Sequence, residues 1–152
     1  MTRKALYMII IFILTICMVG CSVGSIKTTI DEITTGQFTE INGTSKEGSY
    51  SVVSVVFVND TSSDKEFDTN KISISFENNT YKSIGLYNKI EIKYNNVNGE
   101  EVKVVKLTTT NDPVIVKAGD ILSVKYTFEC EVIKNKKVEL YYNGKLLNWA
   151  ML

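Results

Sequence analysis

Strict alternation of apolar and polar residues is the feature that most limits how this chain can fold. In residues 121–130 polar residues separate the apolar row of Leu122, Val124, Tyr126, Phe128 and Cys130. Residues 71–77 and 89–95 alternate in the same way. A period of two places successive side chains on opposite faces of a β-strand, whereas no segment of this chain shows a convincing helical period. The sequence therefore predicts strands.

Turn-forming residues separate these segments. Asn98–Gly99 and Asn143–Gly144 are typical of tight hairpins, because Asn and Gly accept a positive φ. Residues 49–59 are apolar on both parities, which suits a central strand covered on both faces or an inner strand with an apolar outer side. About eight or nine short strands at such intervals predict an all-β fold, an antiparallel sandwich or a small barrel.

The N-terminal segment is typical of a secretory signal. Arg3 and Lys4 precede an uncharged, predominantly apolar stretch from Ala5 to Gly20. Signal peptides have a basic start and an apolar stretch of roughly 7 to 15 residues, whereas a spanning helix needs about 20. The length lies between the two, so an uncleaved anchor extending to Gly24 stays open beside a cleaved signal and plain secretion.

Residues 18–21, "MVGC", resemble the bacterial lipoprotein box. Met18, Val19 and Gly20 match the positions that the signal peptidase recognises, and Cys21 matches the lipidated cysteine. The resemblance implies a diacylglyceryl group on the Cys21 sulfur and cleavage after Gly20. Two acyl chains anchor a protein stably, so the membrane is an expected partner. The implied location is the extracytoplasmic face of the cell membrane.

A second resemblance concerns the rest of the chain. The segments "VVFVND", "ISFENNTYKS", "VIVKAGDILSVKYTFE" and "VELYYNGK" resemble the immunoglobulin-like domain of small Gram-positive lipoproteins and secreted antigens. In that family one strand ends in asparagine, and a glycine turn precedes the penultimate strand. The resemblance implies an immunoglobulin-like antiparallel β-sandwich over residues 49–152. Residues 1–20 are then the signal peptide, and residues 21–48 are a lipidated tether with a possible first edge strand.

Composition excludes several function classes. The chain contains no histidine, which removes imidazole bases and histidine metal ligands. Without Arg3 and Lys4, 15 basic residues stand against 17 acidic ones, so the sequence predicts no nucleic-acid binding. No recognisable nucleophile arrangement or cofactor motif occurs, and we expect neither enzyme activity nor a cofactor.

The acidic stretch 60–70 is a candidate calcium site. Carboxylates at alternate positions can converge on Ca²⁺, and this stretch carries Asp60, Asp64, Glu66 and Asp68. Lys65 and Lys71 stand where an EF-hand loop requires Gly and Glu. A solvated loop between two strands is therefore the favoured interpretation, and a calcium site the alternative.

The C-terminal aromatic residues are a candidate binding patch. Tyr141, Tyr142 and Trp149 lie in a predicted hairpin, and such side chains dominate binding hot spots. The favoured alternative is that some of them face the core. Cys130 shares the parity of Tyr126 and Phe128, so we expect it to be a small core residue.

These observations predict a membrane-anchored, non-catalytic binding module for an unidentified protein or cell-envelope polymer. One alternative is an immunity or inhibitor lipoprotein that protects the host envelope. A small envelope enzyme or a calcium-dependent module is the third.

Overall fold

The computed structural model describes residues 25–151. The predicted signal peptide (1–20), with Met18, Val19 and Gly20, and the lipidation site Cys21 lie outside these residues. Ten strands account for most of the described chain: β1 (Ile26–Ile41), β2 (Thr44–Asn59), β3 (Lys65–Phe67), β4 (Ile72–Phe76), β5 (Asn79–Asn95), β6 (Glu101–Thr110), β7 (Val114–Val116), β8 (Ile121–Phe128), β9 (Lys137–Tyr142) and β10 (Lys145–Met151). A 3-10 turn, Thr69–Lys71, joins β3 to β4. Residues 25–151 contain no helix that is long and apolar enough to cross a membrane.

Eight strands form one continuous sheet in the order β10-β9-β4-β5-β6-β1-β2-β8, and β8 also pairs with β5. This last pairing closes a cycle of five strands, β5, β6, β1, β2 and β8. All neighbours are antiparallel except β1 and β6. The strands β4, β9 and β10 extend from β5 and pack against the closed part. The predicted all-β, sandwich-like fold is confirmed.

The main core lies between these two layers. Val53, Val55 and Phe57 of β2 are fully buried there, together with Ile72 and Ile74 of β4. Burial of such side chains stabilises a fold by about 1.5–3 kcal/mol each. The apolar rows predicted from alternation in β4 and β8 are thus the rows that fill this core.

A smaller core lies on the opposite side of β2. Phe38, Tyr50, Val52, Val105 and Leu107 form it. Tyr50 and Val52 of β2 belong to this cluster, whereas Val53, Val55 and Phe57 belong to the main core. Residues 50–55 are therefore buried on both faces, which explains why this part of β2 is apolar on both parities.

Gly85 allows β5 to belong to both layers. Its φ is +129°, and the pairing of β5 with β8 shifts register between Ser83 and Gly85. A Cβ atom at residue 85 would lie 2.7 Å from Cβ of Thr109. Only glycine tolerates this backbone conformation and this close contact with Thr109. The passage of β5 from one layer to the other therefore requires Gly85.

The sheet begins before the predicted boundary at residue 49. The sandwich already begins at Ile26, and most of the predicted tether forms β1 and the start of β2. β1 is also not an edge strand, since it lies between β6 and β2. Its Thr and Ile residues favour an extended backbone, but its polar outer face hides the strand signal.

Asn59 joins the end of β2 to two loops. Its buried side chain donates to the carbonyls of Ser63, Val116 and Lys117 at 2.9–3.0 Å. Its Oδ1 accepts from the backbone N–H and the hydroxyl of Thr61. One amide thus provides partners for groups of the 60–64 loop and the 116–120 turn, so the asparagine at the end of this strand has a structural role.

Candidate functional site

A short seam joins the two parallel strands of the sheet. β1 pairs with β6 only at Glu40–Lys106 and Ile41–Leu107. Side chains extend the seam at both ends. The Thr39 hydroxyl accepts from the Val105 N–H at 3.2 Å and donates to the Val105 carbonyl at 3.1 Å. At the other end, Asn42 Oδ1 accepts from the Thr109 N–H at 3.0 Å. Few hydrogen bonds therefore join β1 to β6, the pair of strands that closes the cycle.

Beyond Thr39 the two strands separate and leave a cleft of about 410 Å³. We call this space the β1–β6 cleft. Thr35, Gly36, Gln37, Thr39, Tyr50, Lys89, Lys103 and Val105 line it. A concave site with a few convergent polar groups is the default binding site of a protein, and its volume is within the range of ligand pockets.

Tyr50 and Gly36 form the floor of the cleft. The two residues are cross-strand partners in β1 and β2. A Cβ atom on residue 36 would lie 2.8 Å from Cζ of Tyr50, so the ring can occupy this position only over a glycine. Tyr87 stacks on Tyr50 with 6.2 Å between ring centroids. The floor is thus rigid and aromatic.

Glu91 joins the two lysines of the cleft. Lys89 Nζ lies 3.0 Å from Glu91 Oε2, and Lys103 Nζ lies 3.0 Å from Glu91 Oε1. Both bonds lower the pKa of Glu91, and the bond from Lys89 has the larger effect. The bond to Glu91 raises the pKa of Lys89. The raised pKa keeps Lys89 charged at neutral pH. The ammonium groups of both lysines can donate hydrogen bonds to an anionic ligand.

Tyr87 lies beside the floor of the cleft, where it stacks on Tyr50. Burial, followed by its hydrogen bond to Tyr50, raises the pKa of Tyr87 to about 12. The phenol therefore stays protonated at physiological pH. It acts as a hydrogen-bonding and packing group rather than as a base.

The β5–β6 hairpin has a second, apolar face opposite the cleft. Ile90, Ile92 and Tyr94 on this face are 47%, 43% and 51% exposed, and Ile92 pairs with Val104 across the hairpin. Alternation correctly places these apolar residues on one face of the strand. However, no other strand of residues 25–151 buries them.

The four predicted calcium ligands are engaged separately. Asp60 forms an ion pair with Lys27 at 2.7 Å, and Asp64 accepts from the Ala118 N–H at 2.9 Å. Asp68 caps the 3-10 turn, and Glu66 lies in β3. The bond from the Asn70 backbone N–H lowers the pKa of Asp68. Within residues 25–151 no three acidic or thiol groups are grouped to hold a metal. Part of the predicted loop forms β3 and the 3-10 turn, with Phe67 and Thr69 buried.

The predicted aromatic patch is divided between two faces. Tyr142 points inward, where its ring packs edge-on against Phe67 at 5.2 Å. Tyr141 donates to Glu139 at 2.8 Å, and this bond raises the pKa of Tyr141. Trp149 is 53% exposed, with Lys137 Nζ 5.3 Å from its ring. Of the three predicted patch residues, Tyr141 and Trp149 are therefore the two on the outer face of the hairpin.

Cys130 is a core residue, as alternation predicts. It is 8% exposed, and burial raises the pKa of its thiol to about 11. A thiol of this kind is inert as a nucleophile at neutral pH. Its carbonyl accepts from the Ser51 hydroxyl, which also accepts from the Val132 N–H.

No protein-family model, curated protein or solved structure matches the chain. The candidate site therefore rests on geometry alone. Sequence reasoning missed its main residues, because Gly36, Tyr50, Lys89 and Lys103 meet only through long-range pairing. The available signal was the placing of two glycines opposite aromatic residues in the first hairpin, Gly36 opposite Tyr50 and Gly48 opposite Phe38.

Proposed function

We propose that this protein is a lipoprotein held on the extracytoplasmic face of the cell membrane, where it acts as a non-catalytic binding module for a protein or cell-envelope partner. The membrane anchor is the diacylglyceryl group on Cys21, proposed from the "MVGC" motif. Ile26 lies five positions after Cys21, and five residues of extended chain span at most about 17 Å. The sandwich would therefore stand close to the membrane surface.

The β1–β6 cleft is the observation that carries the binding proposal. It joins two lysine ammonium groups, the Tyr50 hydroxyl and threonine and glutamine side chains around one concave space. These groups donate hydrogen bonds, and the lysines attract negative charge. Because Glu91 and the stacked Tyr50 and Tyr87 rings already hold the lining in place, a ligand would lose little free energy in ordering it.

Membrane fractionation tests the anchor. Cys21→Ser should move the protein from the membrane to the soluble extracytoplasmic fraction or leave it as uncleaved precursor. Cys17→Ser is the matched control, because it removes the neighbouring thiol and leaves the motif intact. If both variants fractionate like the unchanged protein, the lipoprotein proposal fails.

Retention of envelope material tests the binding module. The full chain, immobilised in detergent, should retain a protein or polymer from cell-envelope extracts. Lys103→Glu should reduce that retention, whereas Lys145→Glu, on an exposed β10 lysine, should not. Equal retention by both variants would remove the cleft from the proposal. Retention of a single secreted toxin or hydrolase would favour an inhibitor over a structural module.

A further inference from the structure

The backbone of β6 faces the β1–β6 cleft with groups that have no strand partner. Both backbone groups of Val105 are directed toward β1, since they bond to the Thr39 hydroxyl. In an extended strand each residue directs its N–H and C=O to one side, and the side alternates along the chain. The N–H and C=O of Lys103 therefore point the same way as those of Val105, into the cleft.

No strand of residues 25–151 fills this place. β1 pairs with β6 only at Glu40–Lys106 and Ile41–Leu107. On its other edge β6 is fully paired with β5, from Glu101 to Thr110. β6 thus has a short unpaired edge that faces the cleft. At Val105 the Thr39 hydroxyl takes the place that the backbone of a neighbouring strand would occupy.

We infer that the β1–β6 cleft receives one extended peptide segment of a partner protein, which pairs with β6 at Lys103 and adds a strand to the sheet. This inference rests on the proposed function as a binding module, and it assigns the class of ligand. Strand addition of this kind obtains affinity from main-chain hydrogen bonds and specificity from alternate side chains.

The two faces of β6 define the sequence of the ligand. Lys103 and Lys89 lie on the cleft side of the hairpin, so the ligand side chains on that side are acidic. An ammonium group has three donors, and the Lys103 side chain is 51% exposed, so it can bind a ligand carboxylate while it keeps Glu91.

Val102 and Val104 lie on the opposite face, beside exposed Ile92. Ligand side chains on that face are therefore apolar, because they would lie against the two valines as cross-strand neighbours. The preferred segment alternates acidic and apolar residues. A strand placed there would also widen the apolar face of the β5–β6 hairpin.

A designed peptide tests this inference. The probe is a capped ten-residue peptide in which glutamate alternates with valine or threonine, added to the full chain in detergent. We expect saturable binding and at least tenfold slower exchange of the Lys103 amide hydrogen. The same peptide with lysine in place of glutamate should not bind. A version with N-methylated backbone nitrogens should also fail to bind, because it cannot form the ladder.

Two variants locate the binding. Lys103→Glu should weaken the binding of the glutamate peptide by about tenfold, since it reverses a charge beside the ligand. Lys145→Glu on β10 is the matched control and should leave the affinity unchanged. Circular dichroism of both variants checks that the sheet is retained; an unfolded Lys103→Glu is replaced by Lys103→Gln, for which we expect a smaller loss.

Several results would overturn the inference. They are absence of binding at millimolar peptide, equal binding of the lysine or N-methylated peptide, and an affinity that Lys103→Glu and Lys103→Gln leave unchanged. Dimerisation of the chain through the cleft would also overturn it, since the occupant would then be a second copy. If envelope polymer is retained while the peptide does not bind, the binding module stands and only the peptide inference falls. If the peptide binds but Cys21 carries no lipid, the anchor alone is wrong.

Discussion

The ring of Tyr50 lies directly on the backbone of Gly36, its cross-strand partner. The same arrangement occurs in reverse two residues along the ladder, where the ring of Phe38 covers Gly48. A glycine in a strand leaves backbone exposed and weakens the strand, and an aromatic neighbour compensates by covering it. These two pairs build the smaller core and the floor of the β1–β6 cleft.

Gly36→Ala should destabilise the protein by about 1–3 kcal/mol. A Cβ atom at this position would lie 2.8 Å from the Tyr50 ring, and overpacking of a fitted core has a cost of this size. Denaturant unfolding measures the change in the free energy of unfolding. The double variant Gly36→Ala with Tyr50→Leu is the control, because a smaller side chain makes room for the new methyl group. If the effect of Gly36→Ala is the same in both backgrounds, the contact does not explain it.

Asn59→Asp should reduce the free energy of unfolding by about 3 kcal/mol or more. The new carboxylate would replace an amide that donates to three carbonyls, leaving those oxygens without a donor and beside a negative charge. Asn98→Asp, in the exposed hairpin turn, should change stability by less than about 0.5 kcal/mol. Thermal unfolding of the two variants gives the comparison, and similar melting temperatures would contradict the role given to Asn59.

Tyr126→Phe should change the free energy of unfolding by less than about 1 kcal/mol, and the change should stabilise the protein. The Tyr126 hydroxyl is buried and has no hydrogen-bond partner among residues 25–151, and burial raises its pKa. A buried hydroxyl without a partner costs free energy, so its removal relieves that cost. A loss above about 2 kcal/mol on chemical denaturation would show that the hydroxyl has a partner in solution.

Deprotonation of Tyr87 should lower the free energy of unfolding at alkaline pH. Its folded pKa of about 12 lies above its ordinary value of 10.0. A raised pKa of an acid means that the folded state holds its proton more tightly than the unfolded state does. This contribution is therefore complete below about pH 10 and is lost as the pH rises toward about 12. Unfolding measured between pH 9 and 12 in roughly half-unit steps should show the fall, and Tyr87→Phe should make it smaller. An identical pH profile for this variant would assign the effect to other groups.

Short-range patterns were sufficient to predict the all-β fold. Alternation identified the inward rows of β4 and β8, and Asn98–Gly99 and Asn143–Gly144 marked two hairpin turns. In β1 the alternation of Ile26 and Ile30 predicted only a possible first edge strand, because a bulge between Ile30 and Glu32 moves the residues that face the main core from even to odd positions. A bulge interrupts the period of two, so alternation alone does not predict the full length of the strand.

The candidate site could not be predicted in the same way. Lys103 and Tyr50 belong to different hairpins, and their proximity depends on the two-pair seam between β1 and β6. Parallel pairing between distant strands leaves no local signal in the sequence. The exposed row of Ile90, Ile92 and Tyr94 shows the converse: alternation predicts which residues share a face, but it does not predict whether another layer covers that face.

The measurement that tests the central claim most directly is mass spectrometry of the mature protein isolated from its own cells. The proposed function predicts a chain that begins at Cys21 and carries a diacylglyceryl group on the sulfur of that residue. An unmodified Cys21, or an intact chain that begins at Met1, would contradict the claim that this sandwich works as a lipid-anchored binding module.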